Sequence, residues 1–128
     1  MKPRILIVDD TPMCRLNAIN SLLCLDIIAD EAYCAEDALK LVGRKSYDLI
    51  LMDHDMPGMS GIECTREIRR RECGTGAHIA IVGFTGNENE GVRDDCLKSG
   101  MDDVLVKGAM PIELVEIVSR WLPAGCAV

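Results

Sequence analysis

Near-continuous apolar runs, with no polar alternation, recur at Ile5-Leu6-Ile7-Val8, Leu49-Ile50-Leu51-Met52, Ile79-Ala80-Ile81-Val82-Gly83-Phe84 and Val104-Leu105-Val106. Runs of this length and kind predict strands buried on both faces, as in a parallel sheet covered by helices. A shorter run, Ile27-Ile28-Ala29 reaching toward Tyr33, predicts one more strand at a sheet edge. Between the runs, apolar residues recur at helical spacing. Thr11 and Pro12 supply a cap and a proline at the first position of a helix running to about Asp26, with Leu16, Ile19, Leu22 and Leu23 as its apolar stripe. Ala38, Leu41 and Val42 mark the inner face of a second helix ending near Gly43. Met56-Pro57-Gly58-Met59 reads as a turn, after which Ser60 and Glu63 form a capping box that opens a third helix with Ile62, Thr65 and Ile68 inward. The fourth, about Asn89 to Lys98, is thinly anchored by Val92, Cys96 and Leu97 and stops at Ser99-Gly100. The fifth starts at Pro111, carries Leu114, Ile117, Val118, Trp121 and Leu122 on one face, with Trp121 read as core or partly covered surface, and ends at Pro123. Strict alternation of strand and helix, with no linker or repeat, predicts an α/β fold around a parallel sheet. The expected organisation is a single domain over residues 1–128, with an ordered core of about 3–122 and a frayed C-terminus.

Composition narrows the partners. Only one Trp, two Tyr and one Phe are present, so the core must be built from aliphatic side chains, Met and Cys. A formal charge of -7 argues against a nucleic-acid surface, which would need a basic stripe. Neither a run of about 18 apolar residues nor a basic segment leading into an apolar one is present, which predicts no membrane contact and a cytoplasmic location. The seven cysteines, at 14, 24, 34, 64, 73, 96 and 126, are odd in number and form no C-x-x-C pair. They read as small buried hydrophobes in a reducing compartment. Arg69-Arg70-Arg71 lies among Glu63, Glu67 and Glu72 and reads as a solvated face with a Glu67–Arg71 pair. His54 is expected at a strand end facing solvent, and His78 in a turn.

The strands end on different reactive residues: Asp9-Asp10, Asp53, Thr85 and Lys107. Parallel strands place their carboxyl ends along one edge, where open α/β sheets bind ligands. Three carboxylates gathered there repel unless a cation sits between them, and hard oxygen donors in that sparse number suit Mg²⁺. Lys107 at a buried strand end needs an anionic partner, and Asp53 is the candidate. Thr85, flanked by Gly83 and Gly86, offers a hydroxyl to a phosphoryl oxygen. A carboxylate beside a divalent cation, a lysine and a hydroxyl is equipped to attack phosphorus, which makes Asp53 the candidate phosphoacceptor.

Ile7-Val8-Asp9-Asp10, Leu51-Met52-Asp53-His54-Asp55-Met56-Pro57-Gly58-Met59-Ser60-Gly61, Phe84-Thr85-Gly86 and Val106-Lys107 together resemble the response-regulator receiver domain, over nearly the whole chain. The Val8-to-Pro12 opening and the Pro57-to-Gly61 turn are similar to receivers of hybrid sensor kinases, with stand-alone chemotaxis-type receivers as the other likeness. The resemblance implies a flavodoxin-like doubly wound sheet of strand order 2-1-3-4-5 with five helices. It implies Asp53 as phosphoacceptor, and Asp9, Asp10, Asp53 and the backbone carbonyl of Asp55 around Mg²⁺ or Mn²⁺. Thr85 is then the switch hydroxyl, Lys107 the phosphoryl contact, and Asp55 and Asn87 the positions that tune phosphoryl lifetime. The implied donor is a phosphohistidine on a sensor histidine kinase or phosphotransfer domain, and the chain is a signalling phosphoacceptor rather than an enzyme. Phosphorylation is expected to move Thr85 and bias the surface formed by helix four, strand five and helix five.

Three positions depart from the family pattern. Val104 stands where receivers usually carry a Tyr or Phe, Gly108 where a cis-proline commonly follows the lysine, and Gly86 where a small alanine is usual. These leave a pseudo-receiver, an interaction module without phosphoryl chemistry, as one alternative. Asp53-His54-Asp55 after an apolar strand also resembles the Asp-x-Asp of haloacid-dehalogenase-type phosphohydrolases. In that family, however, the nucleophile strand comes first in the chain.

Overall fold

The computed structural model describes residues 2–86, 89–108 and 111–122. Its elements alternate as β1 (Arg4–Val8), α1 (Pro12–Ser21), β2 (Ile28–Ala32), α2 (Ala35–Arg44), β3 (Leu49–Asp53), α3 (Gly61–Glu72), β4 (Ala80–Thr85), α4 (Glu90–Ser99), β5 (Asp103–Val106) and α5 (Pro111–Trp121). All strand pairs are parallel, in the order β2-β1-β3-β4-β5, which is the doubly wound arrangement the resemblance implies. Alternate residues of the central strands face opposite layers. Leu6, Val8, Ile50, Met52 and Ile81 pack under α2, α3 and α4 with Ala38, Ile68 and Cys96. Ile5, Ile7, Leu49, Leu51 and Val82 pack on the other side with Ala18, Leu22, Leu114 and Val118 of the α1–α5 layer. Burial on both faces is why these strands are apolar throughout. Among the described residues, no helix is long and apolar enough to cross a membrane.

The helices correct several expectations. α1 ends at Ser21 rather than near Asp26, and Thr11 makes no side-chain capping bond. Its packing ridge runs through Cys14, Ala18 and Leu22 at four-residue spacing, while Leu16 and Leu23 are exposed. A small residue at the centre of that ridge lets the helix lie close to the sheet, so the larger leucines turn outward. β2 is displaced by a residue from the predicted run and carries Asp30 and Glu31, as its edge position permits. In α3 the capping box forms as predicted, but the buried face is Cys64, Thr65 and Ile68, with Ile62 only half-buried. In α4, Cys96 and Ser99 are buried and Leu97 is exposed. Among the described cysteines only Cys64 and Cys96 are buried, Cys24 and Cys73 being exposed. The expected stop at Pro123, the tail and Cys126 lie outside the described residues.

The basic run is not simply a solvated face. Arg69 donates to Gly100 O at 2.9 Å, to Asp102 Oδ2 at 2.9 Å and to Glu72 Oε1 at 2.6 Å. Asp102 Oδ2 also accepts from Ile81 N, its Oδ1 lies 2.8 Å from His78 Nε2, and Glu72 Oε2 accepts from Ile79 N. These bonds tie the end of α3 and the α4–β5 turn to the start of β4, so Arg69 and His78 are structural ligands of Asp102. Arg71 does pair with Glu67 near solvent, as expected, and Arg70 pairs with it as well.

Candidate functional site

Strand register assembles the predicted residues. Val8 pairs with Met52 and Asp53 with Phe84, while Thr85 pairs with Val106, so Asp9, Asp53, Thr85 and Lys107 converge at the carboxyl edge of the sheet. Lys107 Nζ lies 2.9 Å from Asp53 Oδ1 and 3.1 Å from Asp9 Oδ2, which makes Asp9 a second partner beside the one expected. Asp9 is held on its other side by Thr11 N, which donates to Oδ1 at 2.9 Å. Asp53 Oδ1 also faces the backbone N–H of Asp55 at 3.3 Å. Its second oxygen, Oδ2, is buried and has no hydrogen-bond partner, and the residue as a whole is 1% exposed.

The electrostatics follow from that enclosure. Burial pushes the Asp53 carboxyl up to about 6, with the neighbouring Asp9 charge adding and Lys107 opposing. Burial alone disfavours the Lys107 ammonium, but its bonds to Asp53 and Asp9 outweigh this and hold its pKa above the ordinary lysine value. Ligand oxygens of Asp9, Asp10 and Asp53 all lie within 4.8 Å of one another, with Asp10 exposed. Three hard oxygen donors brought this close together, two of them on buried residues, fit a divalent cation of the Mg²⁺ class.

The surrounding backbone packs closely against the corner. A Cβ on Gly61 would lie 2.1 Å from Asp53 O, so only glycine lets the start of α3 approach the end of β3 this closely. His54 N donates to Phe84 O at 2.9 Å, and His54 O accepts from Gly61 N at 3.2 Å. Fixed between β4 and α3, the His54 ring is only 19% exposed, with Nδ1 3.0 Å from Asp55 Oδ1, so it does not face solvent as expected. The Asp55 side chain is exposed. Thr85 is buried, and its carbonyl accepts from Lys107 N at 2.6 Å. Asn87 lies outside the described residues.

The three departures take definite positions. Val104 is buried, beside Gly83, where an added Cβ would come within 2.5 Å of Met101 Sδ. Gly108 has φ +92°, a left-handed conformation that proline cannot adopt, and no cis peptide bond occurs among the described residues. A Cβ at Gly86 would meet nothing within 4 Å. One residue escaped the sequence reading: Arg15 donates through Nη1 to Asp9 O at 2.7 Å and through Nε to Glu31 Oε1 at 3.1 Å. A basic residue one turn into a helix that follows an acidic pair was the available signal.

Comparison with known proteins agrees with this geometry. The chain is 35% identical to the sensor protein GacS of Pseudomonas syringae over 123 residues, covering 93% of this chain and 13% of that protein. It is also 35% identical to the sensor histidine kinase RcsC of Salmonella typhimurium over 103 residues, 80% of this chain and 10% of RcsC. The chain thus spans only a small part of these curated relatives. Among solved structures, the receiver domain of the sensor histidine kinase PA1611 from Pseudomonas aeruginosa, with a magnesium ion coordinated in its active-site cleft, is 34% identical at a TM-score of 0.83, covering 94% of this chain and 98% of that one. The chemotaxis protein CheY4 of Vibrio cholerae shares the fold at a TM-score of 0.86 and 23% identity, covering 95% of this chain and all of that one. The family profile of the response regulator receiver domain matches residues 5–119, and the chain belongs to that family of two-component signalling domains.

Proposed function

We propose that Asp53 accepts a phosphoryl group from a phosphohistidine, carried by a sensor histidine kinase or a histidine phosphotransfer domain. The observation that carries this reading is the split environment of its carboxylate: Lys107 holds Oδ1, while Oδ2 is buried without a partner. Oδ2 forms the new O–P bond as the N–P bond of the donor breaks. The electron pair of that bond stays on the imidazole nitrogen, and a ring protonated on its other nitrogen leaves neutral. The product is an acyl phosphate on Asp53. Lys107 lies against the same carboxylate and neutralises charge that develops on the phosphoryl oxygens. The Thr85 hydroxyl is the group that turns toward the new anion.

Asp9, Asp10, Asp53 and the backbone carbonyl of Asp55 would hold Mg²⁺ or Mn²⁺. Such a cation supplies charge neutralisation and orientation of the phosphoryl oxygens. The acidic cluster supports this ligand set, as does the magnesium ion in the PA1611 receiver. Asp55 and Asn87 are the positions that tune how long the phosphoryl group lasts. The output is the surface of α4, β5 and α5, and the domain acts as a cytoplasmic signalling module without nucleic-acid or membrane contact of its own. The phosphohydrolase reading is left without a supporting observation by the family match over residues 5–119. The pseudo-receiver reading is opposed by Asp9, Asp53 and Lys107 lying within bonding distance.

Intact-mass measurement after incubation with Mg²⁺ and a small acyl-phosphate donor tests the reading, beside Asp53→Asn and a chelator control. One added phosphoryl group, absent from both controls, is the expected result. A stable lack of mass gain, together with no binding of a beryllofluoride phosphoryl analogue, refutes it.

A further inference from the structure

Every polar backbone and side-chain atom of Asp9 is engaged, and Lys107 is not its only charged partner. Asp9 N donates to Ala32 O at 3.1 Å, Oδ1 accepts from Thr11 N, and Oδ2 lies against Lys107. The remaining atom, Asp9 O, accepts from Arg15 Nη1 at 2.7 Å, shorter than most N–H···O bonds and part-buried. That carbonyl belongs to the peptide joining Asp9 to Asp10. Its orientation therefore fixes the plane from which the exposed Asp10 side chain leaves, relative to the two buried carboxylates. Arg15 is itself immobilised, its side chain only 16% exposed, by the Nε bond to Glu31 of β2.

We infer that Arg15 is a positioning residue for the divalent-cation site, a clamp that sets the Asp9–Asp10 peptide and so the geometry of the carboxylate trio. The inference rests on the reading that this trio holds Mg²⁺. A planar guanidinium makes both bonds at once, one to a carbonyl and one to a carboxylate, which a single ammonium does not reproduce in the same geometry. Its charge also balances Glu31, with which it forms an ion pair. Arg15 bonds to Glu31 and to the backbone carbonyl of Asp9, so it acts through the backbone of a residue that would hold the cation. Hydrogen-bond partners behind metal ligands commonly change metal affinity by about 10–100-fold when removed.

Mg²⁺ affinity measured by calorimetry on the full chain tests the clamp, with donor-dependent mass gain followed against Mg²⁺ concentration. Arg15→Gln is expected to weaken Mg²⁺ binding about tenfold and raise the half-saturating Mg²⁺ for phosphorylation by the same factor. The rate at saturating Mg²⁺ should stay within about twofold. Arg15→Lys should fall between the two, and Glu31→Gln, which leaves the Arg15–Asp9 bond in place, should stay near the unsubstituted protein. A purely structural role predicts a lower melting temperature in chelator with Mg²⁺ affinity unchanged, and that result overturns the inference. If Arg15→Gln fails to fold, Arg15→Lys decides, unchanged affinity again overturning it. Failure of the unsubstituted chain to bind Mg²⁺ overturns the cation reading itself, and the clamp with it.

Discussion

Removing the charge of Asp53 in the absence of a divalent cation should stabilise the protein. The side chain is 1% exposed, one of its oxygens has no partner, and its pKa stands at about 6 against an ordinary 3.8. Holding the ionised form at neutral pH therefore costs about 3 kcal/mol relative to an unburied carboxylate. Asn keeps the shape, removes the charge and leaves Lys107 paired with Asp9. After allowing for the weaker bond from Lys107 to a neutral amide, the net gain of Asp53→Asn is about 1–2 kcal/mol at pH 7.5. For a chain of this size that is a rise in melting temperature of about 3–8 °C.

The sign of the pH dependence is fixed by the direction of the shift. The folded-state pKa lies above the unfolded one, so the native state keeps a proton that the unfolded chain releases between about pH 4 and 6. This group's stabilising contribution is therefore complete below about pH 4 and is lost as the pH rises to about 6. The gap between variant and unsubstituted protein should be small at pH 4.5, open by pH 6.5 and stay constant above it. Mg²⁺ should close the gap again, since a ligand at 100 times its Kd stabilises the intact site by about 2.7 kcal/mol and the variant lacks one donor. Thermal melts in chelator and in Mg²⁺ across that pH range check all three statements. A variant less stable than the parent at pH 7.5 in chelator, or a gap equal at pH 4.5 and 7.5, would refute the reasoning.

Lys107→Met leaves Asp9 and Asp53 facing each other uncompensated and should destabilise by about 2–4 kcal/mol in urea titrations at pH 7.5. The loss should shrink toward pH 4.5 as Asp53 takes up its proton. Gly61→Ala puts a methyl group where the Asp53 carbonyl stands, 2.1 Å from its oxygen, and should cost about 1–3 kcal/mol in the same assay and slow donor-dependent phosphorylation. Asp102→Ala strips Arg69, His78 and Ile81 N of a shared acceptor and should cost about 2–4 kcal/mol. Hydrogen exchange should report that loss first at the start of β4.

The strands and the corner they build were legible because parallel strands buried on both faces leave an unbroken apolar run, and a charged residue at the end of such a run needs a partner. Asp53 and Lys107 met as the sequence implied for that reason. What was not legible depended on distances between segments far apart in the chain. Leu16 and Leu23 match a helical stripe as well as Ala18 and Leu22 do. Only the small Ala18 side chain, which lets α1 lie on the sheet, decides between them. Arg69 reads as one basic residue among acids, until the α4–β5 turn brings Gly100 O and Asp102 to it. His54 reads as a solvent-facing strand end, until backbone bonds to Phe84 and Gly61 enclose it. In each case local pattern gave the element, and tertiary placement decided which face or partner the side chain met.

On the proposed reading an event at Asp53 has to reach the outer surface, and Val104, being aliphatic, supplies no aromatic ring to rotate there. What remains are the hydrogen bonds of β5. This strand is four residues long, at a sheet edge, and paired on one side only. Just past one end, Lys107 bonds to Asp53 through Nζ and to Thr85 O through its backbone N. At its other end Asp103 Oδ2 accepts from Trp121 Nε1 at 3.0 Å and Arg120 Nη1 at 3.3 Å, and Arg93 Nη1 of α4 donates to Val104 O at 3.1 Å. If the proposed phosphorylation draws Lys107 along the strand axis, Asp103 and Val104 are the residues of this short strand that should move with it. The bonds there lead to Arg93 of α4 and to Arg120 and Trp121 of α5. The surface of α4, β5 and α5 is thus connected to the site through backbone and charged side chains, with Trp121 placed on that connection as a fluorescent reporter.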